Sequence, residues 1–340
     1  MIGVDARHVF FWAIRRLNAK WGRSIPGGPI LNSLPQVVAL ELTNACDQRC
    51  PFCARSQMTR PVGFMEPALF RKVIDEVATY PYAVVRLMGL GECALHPEFR
   101  EMIAYAAERR IALDVTTNGR IFDVMSPEEI VNSSIAILGV SIDGVDAASF
   151  AKLRVGGDYE RLRRNVIAFA EARRRLGAHR PLFTVRNVLL SSDERRRDDM
   201  VAAFKAQWAE HCDRIKFNTL TPQKFHQVYC KAPRLCDDIF YNLHIEWDGS
   251  APLCAYQHHI TAQETVGDAN TLSLAELWRA QRRREVRDAH LRCDFSKASF
   301  CKSCTAMQEQ TKHYRSYARH NVNANRLQGA LEKLAWRFIA

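Results

Sequence analysis

Six short apolar runs set the limits on what this chain can fold into. Val37 to Thr43, Val84 to Met88, Ala112 to Thr116, Ala136 to Ile142, Phe183 to Leu190 and Ile215 to Leu220 each read as a buried strand. Amphipathic patterns at Glu66 to Thr79, Pro97 to Arg109, Tyr159 to Arg175 and Arg197 to His211 read as helices between them. Strands alternating with helices predict an α/β fold with a parallel sheet, curled here as an open, partial (β/α)6 barrel, and ligands of such sheets sit at the carboxyl ends of the strands. No repeat at a solenoid period and no low-complexity segment breaks the pattern. The alternation stops near Thr221-Pro222, where cysteines and histidines become frequent, so the core is expected over 36–220.

Just past the carboxyl end of the first strand stands Cys46-Asp47-Gln48-Arg49-Cys50-Pro51-Phe52-Cys53. Three thiolates in one tight loop can hold three irons of a four-iron, four-sulfur cube, which leaves the fourth iron open to a ligand. No other Cys or His falls within this loop, whereas structural zinc usually has two separated pairs of ligands. A zinc knuckle borrowing a distant ligand, or buried free thiols, are the alternatives.

The second half carries another thiol set. Cys236 is followed by Leu243 to Cys254, in which a strand, the Asp248-Gly249 turn and a second short strand read as a hairpin that brings Cys236 and Cys254 toward each other. Cys301-Lys302-Ser303-Cys304 can grip a metal from adjacent turns. Four thiols can close a cube, and they suit tetrahedral zinc equally well. His258 and His259 could add ligands, and Cys230 and Cys293 have no assignment.

Bulk properties fit a cytoplasmic enzyme. The chain has 340 residues, room for one large domain and a smaller one, and 48 Lys and Arg against 37 Asp and Glu give a net charge of +11. Such an excess suits an anionic substrate, a nucleic acid or an acidic membrane surface. Much of it lies in the runs Arg161 to Arg164, Arg173 to Arg175, Arg195 to Arg197 and Arg282 to Arg284, which read as exposed helix faces. No aromatic-basic stacking motif points to nucleic acid. The 11 cysteines follow no apolar signal sequence, so reduced thiols serving iron are expected rather than disulfides. His8 to Ile14, with Arg15, Arg16 and Lys20 behind it, makes 1–35 a basic amphipathic arm too short in its apolar part to span a bilayer. Packing on the core is its expected fate, with peripheral membrane contact the minor alternative that a C-terminal helix over 313–340 shares.

The cysteine loop resembles the C-x3-C-x2-C signature of the radical S-adenosylmethionine (SAM) enzymes, with Phe52 as the customary aromatic before the last Cys. The resemblance implies a [4Fe-4S] cluster on Cys46, Cys50 and Cys53 whose open iron is chelated by SAM. One electron then breaks the sulfonium bond and releases a 5'-deoxyadenosyl radical. It also implies SAM-binding roles for Gly89, Gly91 and Glu92, which look like the family's GGE-type motif, although Cys93 stands where Pro is usual. Asn118 ends the third strand, Ser141 matches a position facing the SAM ribose, and Arg154 matches an Arg near the SAM carboxylate. Read without the family, Asn118 and its neighbours are ordinary turn residues.

Val266-Gly267-Asp268 and Ser273 to Trp278 extend the likeness to the SPASM/Twitch extension of these enzymes, placed over 221–312. Ala255-Tyr256-Gln257 follow Cys254 where the full form has more thiols, which implies one auxiliary [4Fe-4S] cluster, held by Cys236, Cys254, Cys301 and Cys304. Such a cluster can accept an electron from a substrate radical, making the net reaction a dehydrogenation. Relatives of this kind imply a small polyhydroxylated substrate, sugar- or aminocyclitol-like, in a biosynthetic pathway, and an external one-electron reductant such as flavodoxin or ferredoxin. Arg186, Asn187, Tyr256, His258 and His259 are available to take the proton. The alternatives are an epimerase with a hydrogen-donating thiol among Cys93, Cys212, Cys230 and Cys293, a ribosomal-peptide maturase, and, outside enzymes, an iron-sulfur electron-transfer protein. The short segment before the first strand counts against the usual peptide-recognition domain of a maturase.

Overall fold

The computed structural model describes residues 34–80, 83–189, 194–219, 236–255, 264–292, 294–302 and 322–323. Cys230, Cys293, Cys304, Tyr256, His258 and His259 lie outside these residues, as does nearly all of the arm expected over 1–35. Of the helix expected over 313–340 only Val322 and Asn323 are described, and they form a short strand.

All six apolar runs form strands: β1 (Val37–Leu40), β2 (Val84–Leu87), β3 (Leu113–Thr117), β4 (Ile135–Ser141), β5 (Leu182–Leu189) and β6 (Arg214–Thr219). They pair in parallel and in sequence order, so each crossover must carry chain back over one face of the sheet. The long crossover helices are α1 (Pro67–Ala78), α2 (Phe99–Glu108), α3 (Tyr159–Arg175) and α4 (Glu194–Trp208). Helix α1 shows why they lie there: Leu69, Phe70, Val73, Ile74 and Val77 form one apolar stripe at helical spacing, and all are buried against the sheet. The sheet answers with Val38, Leu40, Val85, Leu87, Val115, Val140, Val185 and Ile215, alternate residues of their strands. The other face of each strand is free of this packing.

One element departs from the sequence reading. The residues expected to begin a hairpin form β7 (Asn242–Ile245), which pairs in parallel with β1 and extends the main sheet. The Asp248-Gly249 turn does occur, with the Glu246 N–H donating to Ser250 O at 2.9 Å. Beyond it, however, β8 (Ser250–Pro252) pairs with β9 (Thr265–Asp268) instead. Leu243 and Ile245 gain more from the large core beneath β1 than a two-stranded ribbon would give them. The sheet therefore has seven parallel strands, with β10 (Val322–Asn323) antiparallel on β6.

A second, smaller core joins Ile239, Phe240, Tyr241, Leu253, Val286, Phe295 and three cysteines, Cys236, Cys254 and Cys301. Its centre is Arg283 of helix α5 (Gln281–Arg292). The run Arg282 to Arg284 was expected to be solvated, yet Arg283 is wholly buried. Its guanidinium donates to the carbonyls of Leu253 (3.2 Å), Asp238 (3.0 Å), Ile239 (3.2 Å) and Asn242 (2.7 Å), groups otherwise costly to bury. Arg161 and Arg175 match the expectation as exposed ion pairs with Asp123 and Glu128.

The two units are keyed together by polar contacts. Lys72 of α1 donates to the carbonyls of Ala269 (2.6 Å), Asn270 (2.9 Å) and Leu272 (3.2 Å), while Glu76, one turn on, accepts the N–H groups of Leu274 (3.0 Å) and Ala275 (3.2 Å). Arg60 bridges Glu41, just past β1, and Glu246, just past β7, at 3.0 and 2.8 Å. Among the described residues no helix is long and apolar enough to cross a membrane.

Candidate active site

The chain leaves β1 through Glu41 and enters the cysteine loop against the turn that follows β2. Gly91 makes this approach possible: a Cβ there would lie 2.3 Å from Thr43 O and 2.4 Å from Ala45 O. The N–H of Glu92 donates to Ala45 O at 2.8 Å. Gly89 has a similar role, since its Cβ would meet the Glu41 side chain at 2.5 Å. Both glycines were read as letting backbone approach a ligand; in the fold they make room for the protein's own first strand and loop.

The loop is pinned on every side. Asn44 donates to Pro61 O and accepts the Gly63 N–H, each at 2.9 Å, and Arg55 donates to Asn44 O at 2.8 Å. Across the sheet Asn118, past the end of β3, donates to Asp47 Oδ1 at 2.7 Å and lies 3.9 Å from Cys46 Sγ. The Arg49 N–H donates to Val155 O at 2.8 Å, and Gly156, at φ +94°, lets Asp47 O approach to 2.9 Å of where a Cβ would be. Cys46 and Cys53 are half-buried and Cys50 is buried.

Glu92 lies beneath this loop. Its carboxylate accepts the Asn118 N–H (2.6 Å), the Thr117 hydroxyl (2.8 Å) and the Ala94 N–H (3.2 Å). Burial pushes its pKa up to about 7 despite those hydrogen bonds, and nearby Asp47 adds to the shift. Arg154 donates to Asp143 Oδ2 at 2.5 Å and stands 5.8 Å from the centre of the Phe52 ring. Burial raises the Cys46 thiol to about 11 and raises Cys50 as well, Arg154 opposing the latter shift. Ser141 ends β4, half-buried and in register with Arg186 of β5. The structure thus gathers Cys46, Cys50, Cys53, Phe52, Gly91, Glu92, Asn118 and Arg154 at the carboxyl end of one sheet, with a cleft beside the loop lined by Asp47, Asn118, Phe150, Gly156 and Gly157.

Two comparisons with families bear on this arrangement. Residues 40–218 match the model of the radical SAM superfamily, and residues 236–305 match an iron-sulfur cluster-binding domain, SPASM. The chain belongs to the radical SAM superfamily. Enzymes of this kind carry [4Fe-4S] clusters and SAM.

Among curated radical SAM relatives, the tungsten-containing aldehyde ferredoxin oxidoreductase cofactor-modifying protein of Pyrococcus furiosus is 22% identical, over 72% of this chain and 80% of that protein. Mycofactocin maturase MftC of Mycobacterium ulcerans is 27% identical over 37% of this chain, a match covering 34% of the maturase. Among solved structures, Streptococcus suis SuiB bound to precursor peptide SuiA superposes with a TM-score of 0.59 at 13% identity, over 76% of this chain and 67% of SuiB. BtrN in complex with AdoMet and 2-DOIA gives 0.51 at 13% identity, over 80% and 93%. At these identities the structures share the fold.

The donor sets fit iron-sulfur clusters of a radical SAM enzyme. The loop offers three thiols, one short of closing a cube. In the SPASM region Cys236, Cys254 and Cys301 share one core, while Cys304 lies outside the described residues. His290, buried between Phe240 and Phe295, places Nε2 3.4 Å from Cys301 Sγ, a contact the sequence did not signal.

Several residues considered for chemistry have structural roles instead. Asn187 is wholly buried, its amide donating to the carbonyls of Ile142 (3.1 Å) and Gly144 (3.0 Å), so it has no access to a substrate. Cys93 is buried in the main core with its thiol 3.7 Å from Thr116 O. Cys212 precedes β6, at the opposite end of the sheet from the loop, with its thiol 3.2 Å from Trp208 O. Cys212 is therefore not placed to donate a hydrogen atom at the site, whereas the buried Cys93 thiol lies 3.8 Å from Glu92 Oε1.

Proposed function

We propose that this radical SAM enzyme is an oxidoreductase of dehydrogenase type. Cys46, Cys50 and Cys53 would hold the SAM-binding cluster, and Cys236, Cys254, Cys301 and Cys304 the auxiliary one. When bound, cluster and SAM supply a one-electron cleavage that yields a hydrogen-abstracting radical.

The observation that carries the reading is the pinned cysteine loop over Glu92, in a chain that also builds a SPASM-type thiol core. Asn118 and Val155 fix the loop, so the cluster ligands would be preorganised. Glu92 presents a carboxylate to the amino group of SAM, and Arg154, steadied by Asp143, presents a cation to its carboxylate. Gly156 and Gly157 keep the cleft wall free of side chains next to the loop. A cluster held by the thiols of the small C-terminal core would supply an electron acceptor, which favours net loss of two electrons over return of a hydrogen atom. Of the thiols considered for the epimerase alternative, Cys212 is disfavoured by its place at the far end of the sheet.

A small polyhydroxylated substrate is the reading for the site. The peptide-modifying relatives named above keep peptide maturation as the second reading. Iron analysis tests the two-cluster assignment: the reconstituted protein should carry about eight irons, and a Cys254→Ala, Cys301→Ala variant about four. Zinc in their place, or unchanged iron in that variant, overturns the electron-acceptor role. Turnover in deuterated water tests the reaction: a product two electrons short of substrate supports it, whereas deuterium newly placed at the substrate carbon supports epimerisation.

A further inference from the structure

The helix-covered face of the sheet is apolar and closed, but the opposite face is neither. On β2 to β6 the residues pointing away from the helices include Arg86, Asp114, Thr116, Ser141, Arg186, Arg214 and Lys216, one or two per strand. Their neighbours Val85, Val115, Val140 and Val185 are fully buried, whereas Arg86, Thr116, Ser141, Arg186, Arg214 and Lys216 are only half-buried. The side chain of Arg86, on a central strand, keeps 31% of its surface exposed. A barrel filled with side chains would leave no such surface. The concave face is polar and part of it is exposed.

Its charges are unequal. Among the described residues of β2 to β6 on this face there are the cations Arg86, Arg186, Arg214 and Lys216 and one acid, Asp114, which pairs with Arg86 at 2.7 Å. The cations are placed with respect to the cysteine loop by strand register. Ser141 pairs with Arg186, and Arg186 with Lys216, in one row across the sheet. The same row leads on the other side to the carboxyl end of β3, where Thr117 pairs with Val140 and Asn118 follows.

Arg186 is laid across the sheet by design of the next strand. A Cβ on Gly139 would lie 2.5 Å from its Nε and 2.8 Å from its Cζ, so the guanidinium lies directly over the bare backbone of β4. On the same face the hydroxyl of Thr116, in register with Gly139, is buried without a hydrogen-bond partner among the described residues.

We propose that Arg186 and Lys216, with Arg86 and the Thr116 hydroxyl beside them, form an anion subsite that holds a carboxylate or phosphate of the substrate next to the cysteine loop. The inference rests on the radical SAM reading proposed above and takes this concave face, next to the cysteine loop, as the place of the substrate. A planar guanidinium and an ammonium side by side match the oxygens of either group, one by a fork of N–H bonds and the other as a point charge. Burial, with Arg186 and Arg86 near, pushes the Lys216 pKa down to about 8, Asp114 opposing. An anion beside Lys216 would favour its charged form.

The subsite selects for substrates with an acidic group at a fixed distance from the abstracted hydrogen. It is distinct from the expected SAM carboxylate partner, Arg154, which is committed to Asp143 on the loop side of the cleft.

The test is calorimetric titration of the anaerobically reconstituted full chain, saturated with SAM, with pyrophosphate in one arm and succinate in the other, at fixed ionic strength. Saturable binding of at least one probe is expected, weakened at least tenfold by Arg186→Gln and by Lys216→Met and kept within about threefold by Lys216→Arg, which retains the charge. Circular dichroism confirms that each variant is folded. The arm that binds names the group. The proposal is overturned if neither probe binds in the presence of SAM, or if Arg186→Gln and Lys216→Met bind as the wild type does. Because binding is read without turnover, a protein that forms 5'-deoxyadenosine but takes up neither anion loses only this subsite. One that binds an anion but cleaves no SAM loses the enzymatic reading instead.

Discussion

The carboxylate of Glu92 accepts the backbone N–H of Asn118 at 2.6 Å, which ties the turn after β2 to the end of β3 directly beneath the cysteine loop. Asn118 in turn donates through its side chain to Asp47, so one residue connects the acid to the loop. Replacing the acid with an amide of the same size leaves a group that donates as well as accepts among three donors. Glu92→Gln should therefore weaken SAM binding by at least about tenfold, on the order of 1.4 kcal/mol. Equilibrium dialysis with labelled SAM measures it, and an unchanged dissociation constant would remove Glu92 from the SAM site.

Gly91 has no room for a methyl group. The atoms a Cβ would strike are backbone carbonyls of Thr43 and Ala45, which cannot turn aside as a side chain can. Gly91→Ala should cost about 1–3 kcal/mol and lower iron incorporation, because the strain falls on the segment leading into Cys46. Urea denaturation and iron analysis of the same preparation report the two effects together.

Arg283 is expected to be the most sensitive position of the C-terminal core. Arg283→Met removes the donor shared by four carbonyls, of which Ile239 O keeps Arg287 Nε at 3.1 Å, and should cost about 3 kcal/mol. Arg283→Lys should recover only part of that loss, since an ammonium cannot span acceptors set around a guanidinium. Chemical denaturation of the three proteins gives the order; a Lys variant as stable as the wild type contradicts the clamp.

Stability should depend on pH through Glu246. Burial raises its pKa to about 7, Arg60 opposing and Glu41 adding to the shift. The folded protein holds this proton more tightly than the unfolded chain, where the carboxyl titrates near its ordinary 4.5. The contribution is therefore full below that value and is lost as the pH rises through about 7. Glu246→Gln, which cannot ionise, should reduce the fall in unfolding free energy between about pH 5 and pH 8 by roughly 1–3 kcal/mol. Urea midpoints at both pH values decide this, and parallel pH profiles in the two proteins would exclude Glu246 as the source.

Much of this fold can be read directly from residue patterns, for a physical reason. Strands β1 to β6 each place apolar side chains under the helices, so composition alone marks them, and the cysteine spacing marks the loop. What escaped depends on partners distant in sequence. The Asp248-Gly249 turn is a true local signal, but nothing nearby in sequence says that β7 would find the open edge of β1. Arg283 looks like any arginine in a basic run, because the carbonyls that bury it come from residues 238 to 253 and meet only in the folded core. The cations of the cleft left a weak trace: Arg214 and Lys216 occupy alternate positions of one strand, and Arg186 pairs with Lys216 on the next. Read as a strand that is half-polar on one face, β6 would have pointed to them.

The account stands most directly on the claim that Cys46, Cys50 and Cys53 support SAM cleavage. The decisive measurement is 5'-deoxyadenosine formed by the anaerobically reconstituted protein with SAM and dithionite, beside the Cys46→Ala variant treated in the same way. The account predicts the nucleoside from the wild type and none above background from the variant. Its absence from the wild type, or its persistence after Cys46→Ala, would contradict the assignment of this loop as the radical-generating site.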